Sequence, residues 1–312
     1  MALLVITNTN PERFAEPLKE MAPDLDVRTW PAAGNLDEVE FVLAWKPPPG
    51  VLKTLPKLDV IFSVGAGVDH LLLDPELPDR PIVRFVDRNL TQRMTEYVAL
   101  HTLFHHRRMS EYLGFQSRRR WVELSEPEAG DVRVGVMGLG VLGAASAERL
   151  LALGYRVASW SRTAKSAPGV TSFAGAEGLE PFLRQTDILV TLLPLTSETR
   201  GIIDRRLLGM LARDGRLPGP VLINAGRGGL QVEKDILAAL ESGALYSASL
   251  DVFETEPLPE SSPLWRHPRV VITPHNAAVS DELAVARYVV EQLAGYRKTG
   301  KLENLVEVRR GY

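Results

Sequence analysis

The chain has 312 residues, 45% of them apolar, enough to build the cores of one large or two medium domains. Lys and Arg number 36 and Asp and Glu 39, so the formal charge is −3 and there is no electrostatic reason to expect a nucleic acid or an anionic membrane as partner. There is no cysteine, which excludes disulfides, thiolate metal sites and thiol catalysis. The start, MALLVITNTN, is an apolar run with no basic segment before it; it reads as a first strand rather than a signal peptide. No apolar run reaches the length of a membrane span. A soluble, cytoplasmic protein is expected.

Short apolar runs then alternate with helix-compatible stretches. LLVIT (3–7), LDVRTW (25–30), FVLAW (41–45), DVIFSV (59–64) and PIVRFV (81–86) are of strand length and rich in β-branched or aromatic residues. KPPPG (46–50) cannot be helical and marks a loop. From Thr91 to about Arg120 the character is helical. His101 and His105 are four apart there, a spacing that suits a metal, but no acidic residue or third ligand accompanies them and they read as ordinary helix histidines. The triplet Arg118–Arg120 before Trp121 reads as a solvated or partner-facing surface rather than a phosphate patch. A second series of strands is expected at 131–138, 156–160, 187–193, 220–225, 246–252 and 269–273, and a helical segment closes the chain. Alternating strand and helix implies parallel sheets covered on both faces.

The strand at 132–137 runs into Gly138, Leu139, Gly140, Val141, Leu142 and Gly143, followed by the helix-compatible AASAERLLALG. In that context GxGxxG is a dinucleotide signature. The first glycine permits a tight turn, the second lets the backbone approach a pyrophosphate, and the third lets helix and strand pack closely. Such a unit ordinarily carries an acid about twenty residues on, at the end of its second strand, to hold a ribose 2′-hydroxyl. Here that strand, RVASW, ends in Ser161 and Arg162, with Thr163 and Lys165 beyond. A carboxylate would repel a 2′-phosphate, whereas a guanidinium fork matches its oxygens. The segment therefore argues for NADP(H), with NAD(H) weaker. Trp160 or Arg162 is also a candidate to stack on adenine.

Polar residues stand after three later strands. Arg227 lies among Gly226, Gly228 and Gly229, glycines expected to leave its side chain unobstructed; Glu256 follows the strand that ends at Val252; His275 follows VVIT. If these strands run parallel to 132–137, all three side chains emerge on the edge that carries the glycine loop, where ligands bind in open α/β sheets. An arginine, a carboxylate and a histidine beside a nicotinamide suit carbonyl reduction.

The stretches SVGAGVDHLLLD (63–74), GLGVLG (138–143), LLPLTSETRGII (192–203), INAGRGGLQVEKDILAAL (223–240), SLDVFETEPLPESSPLW (249–265) and TPHNAA (273–278) resemble the D-isomer-specific 2-hydroxyacid dehydrogenases, in that family's order over nearly the whole chain. The resemblance implies an α/β fold of two doubly wound parallel-sheet domains, a flavodoxin-like substrate domain and a Rossmann NADP-binding domain. The substrate domain would be discontinuous, 1–98 with 281–312, and the dinucleotide-binding domain would be 99–280. Arg227 would bind the substrate carboxylate and carbonyl oxygen. His275 would be the acid/base, and Glu256 would orient it and hold its proton. Backbone amides of Val64, Gly65, Ala66 and Gly67 would hold the carboxylate. Leu193, Pro194 and Ala225 would line the nicotinamide pocket, with Asp251 near the carboxamide. SWSRT, WRHPRVVITPH, the terminal RGY and Trp45 in AWKPPP resemble the members of the family that reduce glyoxylate and hydroxypyruvate. Trp45 would keep the substrate pocket small. Two alternatives stand beside this: another dehydrogenase of the family taking a bulkier 2-oxo acid, and an NADP(H)-sensing protein without turnover. No metal is expected, and a homodimer through the cofactor domain, with 91–121 as its arm, is implied.

Overall fold

Runs rich in Leu, Ile and Val with no polar alternation are what strands buried on both faces require, and they become the centres of two parallel sheets. The computed structural model describes residues 2–312. Contacts divide the chain into two units: the chain through Leu90 with Ser280–Tyr312, and Thr91–Val279.

The first unit contains β1 (Ala2–Thr7), α1 (Glu12–Met21), β2 (Asp26–Thr29), β3 (Val39–Trp45), β4 (Val60–Ser63), α2 (Asp69–Leu72) and β5 (Ile82–Val83). The strands are all parallel, in the order β2-β1-β3-β4-β5. That is the flavodoxin-like order.

In the second unit α3 (Arg88–His106), whose first residues precede the boundary, and α4 (Met109–Ser117) lead into β6 (Arg133–Met137), α5 (Val141–Ala152), β7 (Arg156–Ser161) and β8 (Thr171–Ala174). Then come α6 (Gly175–Leu183), β9 (Ile188–Thr191), α7 (Arg205–Gly209), β10 (Val221–Asn224), α8 (Glu233–Ser242), β11 (Ser247–Leu250) and β12 (Val270–Ile272). The seven strands are parallel, in the order β12-β11-β10-β9-β6-β7-β8. Strand order therefore reverses at β6, which places a switch point at its carboxyl end. Alternate strand residues serve opposite cores. Val134, Val136, Val190 and Ile223 pack with Met94, Tyr97 and Val98 of α3 and Leu150 of α5. Leu189, Leu222 and Leu250 pack with Phe182 of α6, Leu208 of α7 and Ile236 of α8. After Val279 the chain returns to the first unit as α9 (Glu282–Thr299), which packs on α1; Asp281 caps it by accepting from the Ala284 amide.

Three details differ from the sequence expectation. The units part after Leu90 and after Val279 rather than at 98 and 280, because Met94, Tyr97 and Val98 belong to the core of the second unit. The helical stretch 91–120 is two helices, broken where Arg108 takes a left-handed backbone with φ 52°. The edge strand β8 is absent from the expected series: its first two residues are exposed, so it carries little apolar signal.

Candidate active site

The parallel sheet of the second unit brings the ends of β6, β7, β9, β10, β11 and β12 to one edge. The residues of that unit expected to serve cofactor or catalysis all lie on this edge. At β6, Gly138 turns with φ 105°, and a Cβ at Gly143 would sit 1.8 Å from the Gly138 carbonyl oxygen, so that position admits only glycine. Gly140 differs: a Cβ there would meet nothing within 4 Å. The protein does not crowd it, and it caps α5 with no side-chain hydrogen bond. Val141, at the first turn, is 47% exposed. An open backbone face at a helix amino terminus with unclaimed N–H groups fits a pyrophosphate.

At the end of β7 no acid is present, as expected. Ser161 is buried, and its hydroxyl donates to the Thr163 carbonyl at 3.0 Å. Thr163 and Lys165 are exposed. Arg162 reaches Glu198, on the loop after β9, with Nη1 2.8 Å from Oε2. Trp160 cannot stack on adenine. It is buried in the apolar cluster with Phe182 and its indole donates to the Gly175 carbonyl at 2.8 Å. On the loop after β9, Leu193 is buried and the Pro194 carbonyl accepts from Thr199. Ala225 is buried after β10, its amide on the Thr191 carbonyl at 3.3 Å.

Arg227 follows on the same loop. The flanking glycines have another task than freeing its side chain: a Cβ at Gly228 would lie 1.9 Å from the Phe253 backbone, so glycine lets this loop close against the one after β11. Two fully buried amides frame it. Asn224 donates to the Arg227 carbonyl at 3.2 Å and to Gln231 Oε1 at 2.8 Å, and Gln231 donates to the Val252 carbonyl at 2.9 Å. Both lie within the INAGRGGLQ stretch, but their amide pairing shows only once the loops after β10 and β11 are brought together.

Glu256 and His275 come together. Glu256 Oε2 lies 2.9 Å from His275 Nδ1, and Oε1 accepts from the Phe253 amide at 3.2 Å. With Nδ1 committed to the carboxylate, Nε2 is the nitrogen left to exchange a proton with a reactant. His275 adopts a left-handed backbone, φ 54°, with its amide on the Asp251 carbonyl at 2.8 Å. Asp251 is buried, and its carboxylate accepts from Thr273 Oγ1 at 2.6 Å and from the amides of Asn276 and Ala277, each at 3.0 Å. A carboxylate has about four acceptor directions, and these contacts take three of them.

In the first unit, the loop after β4 holds Val64, Gly65, Ala66 and Gly67. The Val64 amide donates to the Ala44 carbonyl at 3.1 Å, so it extends the sheet and is not available to a carboxylate. The Gly65 amide faces Ser63 Oγ at 3.3 Å. The amides of Ala66 and Gly67 are claimed by neither. The Trp45 ring lies on Gly65, where a Cβ would be 2.7 Å from it, and packs against His70 of α2 with centroids 4.4 Å apart. His70, unremarked in the sequence, is thus a neighbour of this loop.

Both nitrogens of His105 and Nδ1 of His101 lie 2.7–2.9 Å from serine hydroxyls of β11. Among the described residues no group of His, Asp or Glu is arranged to hold a metal, and no helix is long and apolar enough to cross a membrane.

Residues 99–277 match the NAD-binding domain of the D-isomer specific 2-hydroxyacid dehydrogenases. Glyoxylate/hydroxypyruvate reductase A of Serratia proteamaculans is 38% identical over 309 residues, covering 97% of each chain. The NADPH-dependent glyoxylate/hydroxypyruvate reductase of Sinorhizobium meliloti, solved with NADP and sulfate, has a TM-score of 0.95 and 45% identity over 100% of this chain and 99% of that one. A D-isomer specific 2-hydroxyacid dehydrogenase of Xanthobacter autotrophicus, solved with NADPH and MES, has a TM-score of 0.94 and 38% identity, again over 100% of this chain and 99% of that one. Identity at more than a third of positions, sustained through both units, goes beyond a shared fold: the chain belongs to the D-isomer specific 2-hydroxyacid dehydrogenase family.

Proposed function

We propose that the protein is an NADPH-dependent reductase of small 2-oxo acids, converting glyoxylate to glycolate and hydroxypyruvate to glycerate, with NADH the weaker reductant. The observation that carries it is the Glu256–His275 pair, on the same sheet edge as an open glycine loop and a strand end where Arg162 replaces the ribose-binding acid. The names of the Serratia and Sinorhizobium relatives support the substrate class.

In this reading Thr91–Val279 is the cofactor unit and the remainder the substrate unit. Gly138, Gly140, Val141, Leu142 and Gly143 receive the pyrophosphate, and Ser161, Arg162 and Thr163 the 2′-phosphate. Leu193, Pro194 and Ala225 line the nicotinamide side, with Asp251 near its carboxamide. When bound, the reduced cofactor supplies a hydride to the carbonyl carbon. Negative charge then grows on the carbonyl oxygen. His275 delivers a proton to that oxygen from Nε2, while Glu256 holds the ring through Nδ1. Arg227 fixes the substrate carboxylate and steadies the developing charge. Within the first unit, the Ala66 and Gly67 amides are the candidate donors for a carboxylate, with Trp45 wedged on Gly65 beside them.

We further place the protein in the cytoplasm, where it can draw on the NADPH pool, as a homodimer through the second unit. In support of the dimer, Leu100, Leu103, Met109, Leu113 and Trp121 are exposed on α3, α4 and the segment after them. Absorbance at the NADPH band, followed with glyoxylate, hydroxypyruvate, pyruvate and phenylpyruvate against both cofactors, tests the function. Turnover is expected with the first two acids and NADPH. NADPH binding without turnover on any acid would point instead to a sensor.

A further inference from the structure

α3 and β11 are joined by a ladder of polar side chains. Ser247, Ser249 and Asp251, alternate positions along β11 and just past its end, share one side of the sheet. Tyr97, His101 and His105 recur every four residues along α3 and share one face of it. Two residues of strand advance about 6.6 Å and four of helix about 6 Å, so the two rows stay in register. His105 Nδ1 meets Ser247 Oγ at 2.9 Å, and Ser249 Oγ lies 2.8 Å from His105 Nε2 and 2.7 Å from His101 Nδ1. At the last rung Tyr97 does not reach Asp251 directly. Its hydroxyl lies 2.9 Å from Thr273 Oγ1, which lies 2.6 Å from Asp251 Oδ1.

That rung ends on the loop that carries His275. A left-handed backbone on a residue with a Cβ persists only where its surroundings over-determine it, and here Asp251 does so from several sides. Its carbonyl oxygen takes the His275 amide, and its carboxylate takes the Thr273 hydroxyl and the Asn276 and Ala277 amides. Proton accounting gives the rung a direction. The ionised carboxylate only accepts, so Thr273 commits its one hydroxyl proton to Asp251 and must accept from Tyr97. Burial raises the Tyr97 hydroxyl well above its ordinary pKa, so it remains a donor.

We propose that Tyr97 and Thr273 are positioning residues for the reduction: they hold the Asp251 carboxylate and, through it, the backbone conformation that presents the His275 ring to Glu256. Neither side chain bonds to the Glu256–His275 pair, although the Thr273 carbonyl accepts from the His275 amide at 3.1 Å, and α3 lies far from the pair in sequence. The proposal rests on the reading of His275 as the acid/base.

The test compares full-length Tyr97→Phe, Thr273→Val and Thr273→Ser in steady-state kinetics with glyoxylate and NADPH. NADPH affinity by fluorescence titration and the thermal midpoint are measured alongside. Phe keeps the ring packed on His101, whose centroid is 4.1 Å away, and removes only the donor. A displaced reacting group costs up to about a hundredfold in rate. The expected losses of kcat are about tenfold for Tyr97→Phe and about a hundredfold for Thr273→Val, with Thr273→Ser within about twofold of wild type. NADPH affinity and thermal midpoint should stay near wild type. Wild-type kcat in both Tyr97→Phe and Thr273→Val overturns the proposal. So does a kcat loss matched by an equal loss of NADPH affinity or a collapse of the midpoint, which would mark a general loosening of the unit. His275→Ala separates the two levels. If it is inactive while the other variants are normal, only the positioning role fails; if it turns over at the wild-type rate, the acid/base reading fails with it.

Discussion

At the end of β7 a single guanidinium stands between a protein carboxylate and the anion the site would receive. Arg162 and Glu198 are 2.8 Å apart, with side chains 36% and 63% exposed. An ion pair so exposed is worth about 0–1 kcal/mol, so a 2′-phosphate dianion can displace the carboxylate. Two outcomes follow, read as KM for each cofactor. Arg162→Asp replaces a charge-assisted bond by repulsion and should weaken NADPH by about a hundredfold while changing NADH little. Equal losses for both cofactors would remove Arg162 from the 2′-phosphate site. Glu198→Gln keeps the shape, removes the competing charge, and should tighten NADPH a few-fold with NADH unaffected; weaker NADPH binding would instead make Glu198 a support for Arg162. The missing acid is legible at this scale because it is a local departure from a spaced pattern. Glu198 is not, because it comes from a different loop. Trp160 escapes a sequence reading because β7 is buried on both faces, so alternation does not tell which way an aromatic points.

Among the elements, α3 shows how far periodicity carries. Its helical character is legible, and so is the four-residue spacing of His101 and His105. Their partners are not, since Ser247 and Ser249 lie more than a hundred residues away and only the sheet brings them close. The same holds for β8, whose exposed edge position leaves a pattern no different from a loop. The central strands are readable because burial on both faces demands unbroken apolar runs. The ladder also predicts a pH dependence. Burial, the larger cause in each case, pulls His101 down to about 4 and His105 down to about 3. In the unfolded chain both titrate near the ordinary histidine value of about 6.5. Above that pH both states are neutral and the pair adds no slope. Below it the unfolded chain binds protons that the folded one refuses, so stability falls with pH until the folded values are reached. Urea midpoints at pH 7, 6 and 5 should decline in that order, and His105→Gln, though less stable at pH 7, should decline less steeply. Equal midpoints for the wild type at pH 7 and 5 would show that the pair titrates normally.

For the whole molecule, the discontinuous first unit is to be expected only through family resemblance. The sequence marks α9 as a helix, but nothing in its pattern says that it packs on α1, over two hundred residues earlier. The association state is harder still, because an exposed apolar residue explains nothing singly; what matters is concentration in one region. Here α3 faces two ways. Tyr97, His101 and His105 are buried, while Leu100 is 61% and Leu103 38% exposed. Met109 and Leu113 on α4 are exposed as well, and Trp121 projects entirely into solvent. A fully exposed indole contributes no burial to the folded chain, so Trp121→Ser should leave the thermal midpoint of the isolated chain nearly unchanged. If this surface pairs with a second copy, the indole is the kind of aromatic anchor that dominates interface energy, with truncation costing about 2 kcal/mol or more. Sedimentation velocity over a concentration series decides between these cases. The wild type should sediment as a dimer, and Trp121→Ser, which removes the anchor from both copies at a total of about 4 kcal/mol, should dissociate at concentrations roughly a thousand times higher. A wild-type monomer at every concentration would rule out the dimer. A variant that stays dimeric to the same dilution would move the contact away from this segment.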